Sequence, residues 1–205
     1  MKKLFIYISL ITLIVSCSKD FSSEIEGYEM MSDYMLSEFT KGAALRTISQ
    51  SGEYQASNPS GSVVSWILEP HDAEEGGLTD SVEIYLSYNG SFSGLPSTSE
   101  VLYRTISRSD MYDGTVGLPR LDFSLSLSEA LSAMGVSTFG GGDIVNVRYV
   151  LNLTDGRSFS RTNVTGSMTG VYFRSPYLYP LIIGCEQPAG EIAAQAGTYT
   201  INATD

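Results

Sequence analysis

The sequence predicts an all-β fold, an antiparallel β-sandwich with one short crossover helix, preceded by an export segment and a tether. Three observations predict it. Apolar residues alternate with polar ones in strand-length runs, Gly, Pro, Asn, Asp and Ser separate the runs, and one stretch alone carries helical spacing. A composition of 42% hydrophobic and 17% charged residues places the chain among folded proteins and not among disordered tails.

The first element is the export segment, residues 1–16. Met1-Lys2-Lys3 is a positive start, and Leu4 to Val15 is an apolar run too short to span a bilayer comfortably. It ends in Ile14-Val15-Ser16-Cys17, which resembles the lipobox of bacterial lipoproteins. That resemblance implies cleavage between Ser16 and Cys17, a diacylglyceryl thioether on Cys17, and a membrane partner reached through a lipid anchor. Anchoring would be essentially permanent, since each buried methylene of several acyl chains contributes about 0.8 kcal/mol. Ser18-Lys19-Asp20, with Glu24 and Glu26 behind them, resembles the acidic export tag of Bacteroidetes surface lipoproteins, although Phe21 and Ser22 interrupt the acidic run. It implies an outer-membrane location facing the cell exterior. Residues 17–42 show no sustained period and read as the lipidated N-terminus and acidic tether, with a reach of about 25 to 30 Å.

Residues 43–187 carry the sandwich pattern. Val64, Trp66 and Leu68 alternate, as do Val82, Ile84, Leu86 and Tyr88; Leu121, Phe123, Leu125 and Leu127; and Val145, Val147, Tyr149, Leu151 and Leu153. Asp155-Gly156 marks a tight hairpin. Further strands are expected near Leu45 to Ile48, Val101 to Ile106, Gly170 to Phe173 and Leu178 to Ile183. Ser126 and Glu129 have capping-box spacing, Leu127, Leu131 and Met134 share one helical face, and Gly135 can end the helix. A single short helix between late strands suits an immunoglobulin-like sandwich, where it crosses between the sheets. Residues 188–205 read as a linker followed by the alternating run Gly197 to Asn202, which either closes the sandwich edge or opens a second β domain.

Charge and motifs then narrow the function. The chain has 12 Lys plus Arg against 23 Asp plus Glu, and the signal removes Lys2 and Lys3, so the mature surface repels phosphate backbones and excludes nucleic acid as a partner. With Cys17 acylated, Cys185 lacks an intrachain partner and reads as a buried small hydrophobe at a strand end. His71 is the lone histidine and reads as a solvated loop residue; with no Gly-x-Ser-x-Gly elbow in the chain, no catalytic residue is assigned. Glu69, Asp72, Glu74, Glu75 and Asp80 lack EF-hand order, so no metal and no cofactor is assigned. Ser16 to Lys19 matches Ser-x-x-Lys by accident, because it straddles the cleavage site, and Gly140-Gly141-Gly142-Asp143 reads as a flexible turn. Among thirteen tyrosines, the densest aromatic group is Tyr172, Phe173, Tyr177 and Tyr179. It is the candidate ligand platform for a glycan or peptide, against a competing reading as an edge strand packed on the sandwich. Asp80-Ser81-Val82 resembles the tripeptide that Bacteroidetes O-glycosylate.

The lipobox, the acidic tag, the late helix and the stretch Asp143-Ile144-Val145 through Leu153-Thr154-Asp155-Gly156-Arg157-Ser158-Phe159 together resemble one recurring type. It is the small SusE-like surface lipoprotein of Bacteroidetes that accompanies a SusC and SusD type uptake pair, and the likeness covers roughly Ser18 to Cys185. The resemblance implies a non-catalytic accessory binding protein for nutrient uptake; the alternative is a structural or adhesive spacer for a further C-terminal domain. In that type a cysteine often precedes the strand after the helix and could bridge to Cys185. Gly140, Gly141 and Gly142 stand there instead.

Overall fold

The computed structural model describes residues 42–185. The signal at 1–16, the residues Ser16, Cys17, Ser18, Lys19 and Asp20, the tether before Gly42 and the linker and strand expected over 188–205 lie outside the described residues.

The alternating runs become two sheets. One holds β1 (Ala44–Ser51), β3 (Val63–His71), β7 (Pro119–Ser126) and β6 (Tyr112–Asp113), in the order β1-β3-β7-β6. The other holds β2 (Tyr54–Gln55), β10 (Leu178–Gly184), β8 (Ile144–Leu153), β4 (Thr79–Asn89) and β5 (Val101–Ser107), in that order, with β9 (Ser158–Phe159) also paired to β8. Neighbours are antiparallel except β2, which runs parallel to β10. The Asp155-Gly156 turn joins β8 to β9 with Gly156 at φ 87°, a conformation that favours glycine.

Every residue of the four long alternating runs is buried, and the two inner faces share one core. That follows from period-two side-chain direction: each apolar face meets its partner while Asp122, Ser124 and their like stay wet. At the centre four rings interlock. Trp66 of β3 stacks on Phe123 of β7 at 5.6 Å and meets Tyr149 of β8 and Tyr179 of β10 edge-on at 6.2 and 5.7 Å. Tyr149 and Tyr179 meet edge-on at 5.6 Å.

The helix α1 (Leu127–Ala133) carries the chain from the first sheet to the second, with Leu127, Ala130 and Leu131 buried. Its capping box is complete, since Glu129 N donates to Ser126 Oγ at 3.2 Å and Ser126 N donates to the Glu129 carboxylate at 3.0 Å. Gly135 at φ 69° ends the helix.

Three expectations are corrected. Gly170 to Phe173 is not a strand: a one-turn helix, α2 (Gly166–Thr169), precedes it, and Arg174 N donates back to the Gly170 carbonyl at 2.9 Å, closing a turn on itself. Among the described residues that short helix is a second α-helix, where the sequence suggests one. Cys185 is exposed because it stands one residue past the end of β10, beyond the core.

Among the described residues, two buried side-chain polar atoms lack a hydrogen bond, Trp66 Nε1 and the Tyr149 hydroxyl. An unpaired buried hydroxyl costs about 1–3 kcal/mol. Tyr149→Phe should therefore raise stability by about 1 kcal/mol, whereas Trp66→Ala should cost about 3–5 kcal/mol. Urea unfolding of the two variants checks both signs.

Candidate functional site

Strand direction gives the sandwich two poles. Ala44 pairs with His71, and Thr79 pairs with Leu153, so β1 begins at the pole that carries the β3–β4 loop and the β8–β9 turn. Ile182 pairs with Ile144, and Asn89 pairs with Ile144 from the other side, so β10 ends at the opposite pole, with the β4–β5 loop and the Gly140 to Asp143 turn. The described chain thus enters at one pole and leaves at the other.

A cleft of about 280 Å³ opens at the first pole, lined by Arg46, His71, Tyr172 and Phe173. Beneath it Glu69 is buried between two guanidiniums, accepting from Arg46 Nη1 at 3.0 Å and from Arg120 Nε at 2.6 Å. His71 is the last residue of β3 and is half-buried, so it is not the solvated loop histidine the sequence suggested. Burial and the Arg46 charge hold its imidazole below the usual histidine range, against the opposing pull of Glu69, Asp72 and Glu75.

The acidic loop that follows is held from within. One Asp72 oxygen accepts from Glu74 N at 2.9 Å and Gly76 N at 3.1 Å, and the other from Leu78 N at 3.2 Å and Thr79 Oγ1 at 3.3 Å. Its carboxylate shapes the loop and turns away from solvent. Among the described residues, no group of three His, Cys, Asp or Glu side chains is placed to hold a metal ion.

The four aromatic residues singled out by sequence do not share a surface. Tyr172 alone is exposed. Phe173 is buried with Ala44 and Met168 in a small second core. The Tyr177 hydroxyl donates to the Ala43 carbonyl, and Tyr179 joins the central rings with its hydroxyl 2.5 Å from Thr47 Oγ1. Burial pushes both phenols above the ordinary tyrosine range. A stacking platform of all four is therefore corrected to a buried strut: Tyr177 and Tyr179 bolt β10 and the segment before it to β1. Arg46, which the cleft brings together with His71 and Tyr172, carried no signal of its own, since it sits in an ordinary strand; His71 drew notice as the lone histidine but was read as a loop residue.

At the second pole Asp143 is fully buried. It accepts from the Tyr88 hydroxyl at 2.5 Å, Ser93 Oγ at 2.6 Å, Gly140 N at 2.7 Å and Ser93 N at 3.0 Å. Burial raises its proton affinity, but the bonds from Ser93, Tyr88 and Gly140 outweigh that and hold the carboxyl below the usual range. The glycine run is thus a pinned corner and not a flexible turn. Gly142 has φ 91°, and a Cβ there would stand 2.2 Å from the Phe92 ring that lies over it. A Cβ on Gly141 would stand 2.7 Å from Cys185 Sγ, so the glycine occupies the position from which a bridge to Cys185 would be made. A second cleft of about 360 Å³, lined by Leu95 to Thr98 and Gly135 to Thr138, opens beside this corner. Ser81 is buried in a strand paired on both sides, and its hydroxyl is bonded to Asp80 and Asn152, so the folded domain does not offer it for glycosylation.

No known protein family and no curated protein matches the chain.

Two pH responses follow. The His71 imidazole binds its proton less readily folded than unfolded, so its contribution is whole at neutral pH and is lost as pH falls below about 6.5. His71→Gln should flatten the fall in melting temperature between pH 7 and pH 5. The Asp143 contribution is whole above about pH 4 and is lost on further acidification. Asp143→Asn should cost about 1–3 kcal/mol at pH 7 and blunt acid unfolding, read by circular dichroism as pH is lowered below about 4.

Proposed function

We propose that the chain is a lipid-anchored accessory lipoprotein of the outer membrane, facing outward, that serves nutrient uptake without catalysis of its own. It captures a glycan or peptide beside a SusC and SusD type transporter, or docks on that transporter. The observation that carries this reading is the opposition of the two poles. The lipobox at Cys17 lies on the N-terminal side of Ala44, so the anchored chain joins the sandwich at the pole where β1 begins, and the pole built on Asp143 lies at the end away from that attachment. That far pole presents the second cleft and an exposed Phe92, a contact surface of hydroxyls and apolar atoms suited to a neutral ligand or a protein partner.

Strand order supports the immunoglobulin-like form of the sandwich. The order β1-β3-β7-β6 corresponds to A-B-E-D, and β10-β8-β4 to G-F-C. Trp66 and Tyr149 then stand on strands B and F, where antibody domains carry their intersheet disulfide.

One observation favours a second reading, a spacer or adhesive module. Arrival at one pole and departure at the other is the geometry that strings modules end to end.

Cys17→Ala should abolish acylation and release the protein from the membrane fraction, as followed by intact mass and by flotation. Recovery of a transporter component with the native protein solubilised from outer membranes would support the accessory role. Recovery with no transporter, together with silence in glycan and peptide screens, would overturn it and leave the spacer.

A further inference from the structure

We infer that the turn Val171-Tyr172, at the pole where β1 begins, is a membrane contact that seats this end of the sandwich on the lipid surface holding the anchor. The inference rests on the lipid anchor proposed above and adds to it a second point of attachment.

Three independent observations converge on the turn. First, Val171 is 94% exposed and Tyr172 69%, and they are adjacent, so two large apolar side chains stand in water at one apex. Scattered apolar residues need no explanation, but a paired apex held rigidly in solvent does. It is held rigidly. Phe173 is buried with Ala44 and Met168, and Arg174 N closes the turn on the Gly170 carbonyl at 2.9 Å. Thr47 N then donates to the Arg174 carbonyl at 2.8 Å and Thr47 Oγ1 donates to it at 2.9 Å, which locks the far side of the turn to β1.

Second, charge along this part of the chain differs from the rest. The protein is acidic, with net charge −11, yet from Gly156 to Cys185 it carries Arg157, Arg161 and Arg174 and neither Asp nor Glu. Arg161 and Arg174 are exposed. The same pole also carries Glu74, Glu75 and Asp155 on the neighbouring loop and turn, so the acid-free stretch, with Arg161 and Arg174 exposed on it, lowers repulsion from anionic headgroups at the apex without making the whole pole basic.

Third, position and residue type fit. The same pole receives the chain from the side of Cys17, close enough in sequence that a tether of about 25 to 30 Å can draw it down to the bilayer. Tyrosine, with an apolar ring and a polar tip, settles at the headgroup level, and arginine beside it extends its charge outward. Tyr172 also meets Phe173 edge-on at 5.0 Å, so the exposed ring is oriented by a buried one.

The test uses full-length lipidated protein reconstituted in vesicles of phosphatidylcholine with phosphatidylglycerol. In a Cys185→Ser background, Val171→Cys or Ser137→Cys carries an environment-sensitive fluorophore, Ser137 lying at the opposite pole. The expected result is a blue-shifted emission at position 171 that nitroxide-bearing lipid quenches, with neither effect at 137. Adding Arg174→Glu should weaken the quenching at 171 and leave the far-ultraviolet dichroism unchanged. Quenching at 171 no greater than at 137 overturns the inference while leaving the anchor intact, provided the protein floats with the vesicles. A blue shift at 171 that lipid-borne nitroxide does not quench means burial against protein and also overturns it. Failure of the protein to float overturns the anchor itself, and this inference with it.

Discussion

The contact between Trp66 and the tyrosine pair Tyr149 and Tyr179 is what makes one body of two sheets. Each sheet is hydrogen-bonded within itself, and no backbone ladder joins β3 or β7 to β8 or β4. Cohesion must therefore come from side chains meeting across the gap. Aromatic side chains remove about 150–250 Å² each from water, or about 4–6 kcal/mol apiece at 25 cal/mol per Å², with further gain from edge-on geometry. A disulfide at the same place contributes about 2–4 kcal/mol. Four interlocked rings thus exceed what one covalent bridge supplies, and a domain whose described cysteine is unpaired loses little by it.

Polar burial fixes the corners that the rings cannot reach. Three buried carboxylates do this by different chemistry. Asp72 gathers backbone and hydroxyl donors from its own loop, and Asp143 joins Gly140 N of its own turn to Ser93 and Tyr88 from another part of the chain, so a turn that would otherwise wander is folded around a charge. Glu69 is satisfied by guanidiniums instead, and takes Arg120 from β7 and Arg46 from β1 across β3. Removing one arginine would leave a buried charge half-paired, which makes the trio a clamp of specificity more than a source of net stability. It also has a positional consequence: Arg46 is held at the rim of the first cleft by a carboxylate that is itself buried.

How far the sequence could be read follows from the range of each force. The long strands were legible because period-two alternation is local, and all four marked runs, the capping box at Ser126 and the Asp155-Gly156 turn stand where alternation and turn chemistry put them. The segment from Gly166 to Tyr177 was not, since Val171, Tyr172 and Phe173 look like a strand, yet Gly170 and Arg174 close on each other and of that turn only the Arg174 carbonyl bonds to the edge of β1. The glycine corner misled for the same reason. Flexibility is a property of glycine alone, whereas here Asp143, Ser93 and Tyr88 arrive from distant positions to pin it. Candidate-site residues fared worst. Tyr177 and Tyr179 carry a composition that suits a binding face as well as a core, and only register decides which way a strand residue points.

Register decides orientation for the whole domain as well. Because the pairing of Ala44 with His71 and of Ile182 with Ile144 sets the poles, a constraint on one end is transmitted rigidly to the other. A tether by itself fixes distance from a surface and leaves the sandwich free to tumble. Two features at the near pole bear on that freedom: the pinned apex at Val171 and Tyr172, and the small core of Ala44, Met168 and Phe173 that ties the apex to the first residue of β1. Any force on the chain before Ala44 therefore acts on the apex through a packed contact. A domain held at both points would stand with the Asp143 corner and its cleft outward, which turns an anchor that determines location into one that also determines presentation.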